Sequence, residues 1–295
     1  MNKYILILVL ILVIIVIIIS KYKDCQNYKK YYIENNSQYV QSNYELNKNY
    51  KNIFCFWDSD ILPPLINECV KNYKKKLPDW NTVLLNEKNI HNFIDKTEFP
   101  INYNNLKITQ KSDWIRLFLL YKYGGLWMDA SIIINDPSEI NYMYDKVFKE
   151  NYEISGYSLS DKIFMFKNFK PFENWFILSK KNSEIIYKWM KEYEYAIEIG
   201  FESYNNSILS FHDFQNYFGD NYWTVYTCFQ NTILKNEELY NYIYMKNCNE
   251  TMFHHRYLSV IHILLDNTEK NIKLIKIDRK IIDELFMEDI INKFF

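Results

Sequence analysis

The apolar and polar positions divide the chain into an apolar N-terminal run, a polar segment and a long region of short strands and helices. The run from Tyr4 to Ile19 contains no polar or charged residue except the Tyr4 hydroxyl, and lysines flank it. A membrane-spanning helix needs roughly 17–25 such residues, so residues 1–20 are predicted to be an uncleaved single-pass anchor. A cleaved signal peptide is the alternative, although no small-residue cleavage site follows. The flanking lysines leave the orientation open.

Residues 21–51 are polar and rich in Asn, Tyr, Lys and Gln. This composition predicts a stem that holds the following domain away from the bilayer. No linker rich in Pro, Gly or Ser appears after residue 52, so residues 52–295 are expected to form one domain. A hydrophobic content of 48% is enough for a sizeable core.

Strand and helix patterns alternate from residue 52 onwards. The pattern predicts a strand over 52–58, a helix from Pro63 and Pro64 through residue 76, a strand over 80–86 and a short helix over 87–95. This alternation is typical of a parallel α/β sheet. Further along, we expect strands at 131–135, 162–169 and 273–278, and helices at 183–195 and 281–295.

The chain is organised around a stretch at residues 112–137 that combines a helix, a glycine break and a short strand. Ser112 is predicted to cap the helix, which continues as a nearly all-apolar segment from Trp114 to Tyr123. Two glycines at 124–125 end it, and Leu126–Met128 is predicted to be a buried strand. Asp129 then falls at the carboxyl end of this strand, where open α/β sheets bind ligands.

Five residues near this edge are candidates for binding chemistry. Asp113 and Arg116 share a helix face, either as a structural ion pair or as ligands for sugar hydroxyls in a polar cleft. Asp129 with Ser131 offers oxygen atoms of the kind that a hard divalent cation prefers. Trp57, at the end of the first predicted strand, is a candidate for stacking on a nucleotide base or for a place in the core.

Net charge, missing motifs, a histidine-rich cluster and the cysteines say less about the function. A net charge of −1 gives no electrostatic case for nucleic-acid binding, and the Walker, dinucleotide-binding and hydrolase glycine motifs are absent. His254, His255 and Arg256 form a polar cluster that is either a surface loop or a contact to metal or diphosphate. The five cysteines are expected to be free and buried, with a Cys228–Cys248 bridge as the alternative if the domain is lumenal.

Asparagine-containing glycosylation patterns begin at Asn35, Asn205 and Asn249. They are weak support for a lumenal location, because chance matches are expected in a chain so rich in asparagine. The localisation predicted from the sequence is therefore a membrane of the secretory or Golgi type, or a host membrane.

The motifs S-D-W-I-R-L at 112–117 and G-G-L-W-M-D-A-S at 124–131 resemble the capsular polysaccharide synthesis proteins and the wider DXD-containing sugar transferases of glycosyltransferase family 32. The resemblance extends to Phe56-Trp57 with Leu62-Pro63-Pro64, to residues 80–94 and to the segment Phe172–Phe176. It covers about residues 52 to 230. In this sequence, Ser131 stands where the motif has its second acid.

The resemblance implies a GT-A-like, Rossmann-like fold, a UDP- or GDP-hexose donor, usually Mn²⁺ or Mg²⁺, and retention of configuration. It implies that Trp57, Asp113, Arg116 and Gly125 bind the donor, that Asp113, Arg116 and Asp129 act in catalysis, and that Asp129 with Ser131 holds the metal.

The expected function is a membrane-anchored hexosyltransferase of polysaccharide biosynthesis or glycosylation, with a glycan, glycolipid or protein acceptor and no nucleic-acid partner. Two alternatives remain: a catalytically inactive sugar-nucleotide-binding or scaffold protein, and a membrane-tethered structural protein.

Overall fold

A computed structural model describes residues 3–35, 46–158, 169–209, 221–254, 272–277 and 287–295. Most of the strand predicted at 162–169 lies outside these ranges, as do His255, Arg256 and most of the first glycosylation pattern.

The first helix, α1, spans Lys3–Asn35. It continues past residue 20 and through part of the segment predicted to be a stem, so the predicted boundary between anchor and stem is not a helix end. Within the described residues, no helix is both long enough and apolar enough to cross a membrane, and the predicted anchor is not confirmed.

Three parallel strands form one half of the main sheet. They are β1 (Asn52–Phe56), β2 (Asn81–Leu85) and β3 (Gly125–Met128), with β1 in the middle. Helix α2, Pro64–Lys76, joins β1 to β2 and begins at the predicted proline pair. The predicted helix at 87–95 is reduced to a single 3₁₀ turn at Ile90–Asn92.

Helix α3, Ile108–Tyr123, begins five residues earlier than predicted, since its N-cap is Lys107 instead of Ser112. Lys107 has extended backbone angles and is the N-cap residue, and the Gln110 side chain accepts a hydrogen bond of 2.9 Å from its backbone N–H. Ser112 therefore lies inside the helix rather than at its start. The predicted end is confirmed, because Gly124 takes a φ of 67° directly after Tyr123.

The other half of the sheet corrects the expected all-parallel arrangement. The strand order is β2-β1-β3-β6-β5-β7, with β5 at Ile154–Ser158, β6 at Phe172–Ser179 and β7 at Ile243–Asn247. Strand β6 is antiparallel to both β3 and β5. The fold is therefore mixed α/β, and β6, for which no strand was predicted, is buried along its whole length.

A second sheet has the order β4-β9-β8. Strand β4 (Ile132–Ile134) follows β3 closely, and β9 (Leu274–Lys276) pairs with it in antiparallel orientation. Strand β8 (Met252–His254) completes the sheet on the other side of β9. The predicted late strand is confirmed, and its pairing brings the end of the chain to the loop after β3.

The remaining described helices are α4 (Ser138–Phe148), α5 (Glu184–Ile199), α6 (Phe201–Leu209), α7 (Thr224–Lys235), α8 (Cys248–Thr251) and α9 (Met287–Phe294). Alternate strand residues serve two cores, so Phe54 packs with α3, α5 and α7, whereas Ile53 packs with α2, α4 and the small sheet. Layers on both faces of the sheet leave its strand ends as the place for a cleft.

The cysteines in the two cores are free. Cys55, Cys69, Cys228 and Cys248 are buried thiols without a disulfide. The free-thiol expectation is confirmed for these four, and the alternative Cys228–Cys248 bridge is not formed.

Candidate functional site

One cleft lies at the carboxyl ends of β1 and β3. Five of the six site residues predicted from the sequence line it: Trp57, Asp113, Arg116, Asp129 and Ser131. They come from the end of β1, the first half of α3 and the turn after β3. The structure thus brings together residues that are separated by more than seventy positions.

Gly125 is the predicted site residue that lies elsewhere. It is the first residue of β3, at the opposite end of the strand from Asp129, and does not line the cleft. Its φ is +102°, and a Cβ at this position would lie 2.8 Å from the backbone oxygen of Asn52. Gly125 is therefore required for the close approach of β3 to β1, and the expectation that it binds the donor stays a prediction.

Asp113 and Arg116 form an ion pair at the start of the cleft. Their i, i+3 spacing on α3 places Asp113 Oδ1 3.0 Å from Arg116 Nη2, and both side chains are buried. Arg116 also donates from Nη1 to the backbone oxygen of Asn174, at 2.6 Å, and from Nε to that of Ser112, at 3.2 Å. The guanidinium lies over the Trp127 ring, 5.0 Å from its centroid. These contacts fix the guanidinium plane from several directions.

The carboxyl group of Asp113 is a weaker acid than usual, because its pKa is raised. Burial raises its pKa to about 7, and the charge of Asp129 adds to the increase, whereas Arg116 opposes it. The Asn174 side chain donates a 3.0 Å hydrogen bond to Asp113 Oδ1. Asp113 can therefore change its charge near neutral pH while its orientation stays fixed.

Asp129 begins the turn between β3 and β4. The Ile132 N–H donates to the Asp129 backbone oxygen at 3.2 Å, and Asp129 N–H donates to the backbone oxygen of Trp175 at 2.9 Å. The Tyr73 hydroxyl also donates to the Asp129 backbone oxygen, at 3.0 Å. The main chain at this turn is thus held by three elements, and the carboxylate is left to face the cleft.

The Asp129 carboxylate lies between two cations. Lys276 Nζ is 2.6 Å from Oδ2, Arg116 Nη2 is 3.8 Å from Oδ1, and the Trp127 indole N–H donates to Oδ1 at 3.1 Å. Burial alone would raise the pKa of Asp129, but Lys276 and Arg116 outweigh it and hold the pKa below its usual value. The carboxylate is therefore ionised and paired at neutral pH.

Lys276 is a cleft residue that the sequence did not reveal. It is the last residue of β9 and lines the cleft together with Asp129. The K-L-I-K-I-D segment indicated a strand, but nothing in it identified the partner strand. Only the β4–β9 pairing places this ammonium at the turn after β3.

Ser131 is held by the residue after Lys276. Its hydroxyl donates to the backbone oxygen of Ile277 at 2.7 Å, and Ile277 N–H donates to the backbone oxygen of Ser131 at 3.1 Å. The hydroxyl proton is therefore used to attach the end of β9 to the turn.

These contacts do not fit the metal site predicted at Asp129 and Ser131. Within the described parts of the chain, no group of three or more His, Cys, Asp or Glu side chains is arranged to hold a metal ion. Both Asp129 oxygens already accept from nitrogen donors, and the Ser131 hydroxyl is bonded to Ile277. A divalent cation favours several oxygen ligands of net negative charge, and this donor set does not supply them.

The far wall of the cleft comes from β6, from α7 and from the 3₁₀ turn Asn221–Trp223 that precedes α7. Asn174, Trp175, Tyr222 and Tyr226 line it, and the Tyr226 hydroxyl lies 2.8 Å from Asn174 Oδ1. The resemblance pointed to the segment Phe172–Phe176 without assigning roles to its residues. The two tyrosines are hidden in a sequence with 27 tyrosines, where composition offers no means of selecting them.

The predictions for Trp57 and for the polar cluster at residues 254–256 remain to be compared with the structure. Trp57 is 9% exposed and packs in a core cluster as well as lining the cleft. Its place in the core is confirmed, and its stacking on a nucleotide base stays a prediction. The backbone of His254 pairs with Lys276 in the small sheet. His255 and Arg256 lie outside the described residues, and their predicted role stays a prediction.

The sequence profile of the capsular polysaccharide synthesis proteins matches residues 19–283. With a mixed α/β fold and a polar cleft at the strand ends, the chain belongs to the capsular polysaccharide synthesis protein family.

Two curated relatives align with part of the chain. The O-glycosyltransferase braB of Annulohypoxylon truncatum is 27% identical over 156 residues, which is 48% of this chain and 36% of that protein. Inositol phosphoceramide mannosyltransferase 1 of Schizosaccharomyces pombe is 27% identical over 101 residues, or 32% of each chain. The chain thus spans about a third of the length of these relatives.

Two solved glycosyltransferase structures also align with the chain, at low TM-scores. The PaToxG glycosyltransferase aligns with a TM-score of 0.42 and 15% identity, over 77% of this chain and 83% of its own. A glycosyltransferase involved in the glycosylation of the major capsid of PBCV-1 aligns with a TM-score of 0.41 and 11% identity, over 79% and 96%.

Proposed function

We propose that this chain is a glycosyltransferase that moves a hexose from a nucleotide-diphosphate sugar to a glycan, glycolipid or protein acceptor. The proposed catalytic unit is a GT-A-like domain formed by residues 52–295. Membership of the capsular polysaccharide synthesis protein family supports the proposal, as do the transferase names of the two curated relatives.

The observation that carries the proposal is the pairing of acids and cations in one cleft. Ion pairs join Asp113 to Arg116, Arg116 to Asp129 and Asp129 to Lys276, and Trp57 lines the same cleft. Carboxylates accept hydrogen bonds from sugar hydroxyls, and guanidinium and ammonium groups pair with phosphate oxygens. A nucleotide-diphosphate sugar carries both kinds of group, and its base offers a face for stacking.

In the proposed reaction, the bond between the anomeric carbon and the diphosphate oxygen breaks, and the electron pair leaves with the diphosphate. The acceptor hydroxyl oxygen bonds to the anomeric carbon, and its proton passes to the departing diphosphate. Asp113 holds the donor sugar, Arg116 and Lys276 stabilise the charge that develops on the leaving group, and Asp129 positions both cations. Retention of configuration, as the resemblance implies, requires no separate general base.

The test is an assay of donor hydrolysis and transfer by the full chain, with a panel of UDP- and GDP-hexoses. Asp129→Asn should reduce turnover by about ten- to a hundredfold, because the two cations lose the charge that positions them. Asp136→Asn is the matched control, since Asp136 also follows a strand and pairs with a lysine, Lys273, but does not line the cleft. Equal turnover in both variants would refute the role of Asp129.

Ser131 supports a second candidate, an inactive protein that binds sugar nucleotides. Its hydroxyl stands where the DXD motif has an acid and is bonded to Ile277. Calorimetry that detects sugar-nucleotide binding, with no turnover on any acceptor, would favour this candidate. The compartment and membrane localisation stay predictions from the sequence.

A further inference from the structure

Ser131 and Lys276 are structurally linked. The Ser131 hydroxyl donates to Ile277, directly after Lys276, and the Ile277 N–H donates back to Ser131. An aspartate at position 131 has no proton to donate to the Ile277 carbonyl at neutral pH and would place two acceptors side by side. A serine at this position therefore adds a side-chain hydrogen bond to the end of β9 that an aspartate could not make.

The consequence of this attachment is the position of the Lys276 ammonium. Its side chain is only 14% exposed, and its Nζ lies 2.6 Å from Asp129 Oδ2. A cation coordinated by Asp129 from this side would meet the ammonium directly. Lys276 thus takes the place beside Asp129 that a metal ion bound by this carboxylate would need.

The net charge at the Asp129 carboxylate is the same with the Lys276 ammonium beside it as with a divalent cation held by two carboxylates. A divalent cation between two carboxylates has no net charge, and neither has one ammonium beside one carboxylate. Arg116 and Asp113 form a second neutral pair beside the first. A diphosphate entering the cleft would therefore meet fixed cations without any bound metal, and an ammonium offers three donors to phosphate oxygens.

We infer that Lys276 replaces the divalent cation in this chain, so that it binds the diphosphate of its nucleotide without a metal. The inference rests on the proposed function, because it concerns the same donor. It applies to the chain's own residues: Lys276 contacts the diphosphate, Asp129 positions Lys276, and Ser131 positions the strand that carries it.

The test is calorimetric titration of the full chain with UDP and with GDP, first after removal of divalent ions with EDTA and then with added Mn²⁺. We expect a nucleoside diphosphate to bind equally well in both conditions. Lys276→Met should weaken this binding by about ten- to a hundredfold, the effect of losing a charge-assisted hydrogen bond. Lys276→Arg, which keeps the charge, should recover part of the affinity.

Lys273→Met is the matched control, because Lys273 lies beside β9 and pairs with Asp136 outside the cleft. It should bind like the unmodified chain. Binding that is lost with EDTA and regained with Mn²⁺ would overturn the inference and leave the proposed function intact. If neither nucleotide binds in either condition, the proposed function itself fails, and the inference fails with it. The comparison of EDTA with Mn²⁺ uses the unmodified chain, so poor folding of a variant cannot obscure it.

Discussion

Lys276 Nζ lies 2.6 Å from Asp129 Oδ2, although the two residues are 147 positions apart in the sequence. The contact exists because β9 pairs with β4, and β4 begins at the turn that presents Asp129. Asp129 is therefore not an isolated acid at a strand end. It is the common partner of Lys276 and, through Arg116, of Asp113.

Ser131 should be important for stability as well as for position. Ser131→Ala removes the donor to the buried Ile277 carbonyl, so we expect a loss of about 1–3 kcal/mol in the free energy of unfolding. Ser131→Asp restores the acid of the DXD motif but should destabilise the protein more, because its carboxylate would face that carbonyl. Urea unfolding of both variants measures the difference. A more stable Ser131→Asp, with Mn²⁺-stimulated turnover, would contradict the assigned contact.

Asp113 should give the reaction a pH dependence. Its pKa is raised to about 7, and only the ionised carboxyl group can accept bonds from sugar hydroxyls at both oxygens. Turnover should therefore rise between about pH 6 and 8, and Asp113→Asn should be less active without this rise. A rise of the same size and midpoint in Asp113→Asn would assign the titration to another group.

The raised pKa of Asp113 also makes stability depend on pH, and stability should fall as the pH rises, whereas turnover increases. Because the folded-state pKa lies above the unfolded value, the stabilising contribution of Asp113 is complete below about pH 4 and is lost as the pH rises through about 7. The free energy of unfolding of the unmodified chain, relative to Asp113→Asn, should fall over this range. Thermal unfolding at a series of pH values measures the difference.

The effects on stability of removing Arg116 and Asp113 should not add. Arg116→Met leaves the buried Asn174 backbone oxygen without its donor and removes the cation that lowers the pKa of Asp113, so the carboxyl group takes up a proton; we expect a loss of about 1–3 kcal/mol in the free energy of unfolding. Asp113→Asn removes the same contact from the other side, so the double variant should lose less than the sum of the single losses. Strict additivity in urea unfolding would mean that the two side chains do not interact.

Gly125 should affect folding and not ligand binding. Gly125→Ala places a Cβ 2.8 Å from the Asn52 backbone oxygen at a φ of +102°, so the free energy of unfolding should fall by more than the ~1 kcal/mol expected from an unfavourable φ alone, as measured by urea unfolding. Gly200→Ala is the control, since its φ is also positive, at +87°, but no atom lies within 4 Å. Nucleotide affinity of the folded Gly125→Ala protein should be unchanged, and a weakened affinity would return Gly125 to the site.

The sequence predicted those parts of the site that depend on short-range pattern. The end of α3 at Tyr123, the glycine break and the acid after β3 follow from local backbone preferences. The start of α3 was wrong because Gln110 caps the helix at Lys107, and Ser112 offered an equally plausible local signal. Strand β6 was missed because all its residues are buried, so it lacks the alternation that identifies a strand with one exposed face.

Lys276 and the two tyrosines on the far wall could not be predicted from local sequence patterns. Their roles depend on strand order and helix packing between segments far apart in the sequence, and no local pattern encodes such pairings. The antiparallel insertion of β6 beside β3 is of the same kind. A single sequence therefore revealed the acid of the site but not the cation that neutralises it.

The order of the strands also has a consequence for biosynthesis. The β4–β9 pairing joins residues 132–134 to residues 274–276, so a growing chain on the ribosome completes the Asp129 turn long before its lysine is made. Domains fold progressively during synthesis, and until then the carboxylate lacks one of its two counter-charges. The nascent protein should therefore acquire the ability to retain nucleotide only after the segment carrying Lys276 has left the exit tunnel.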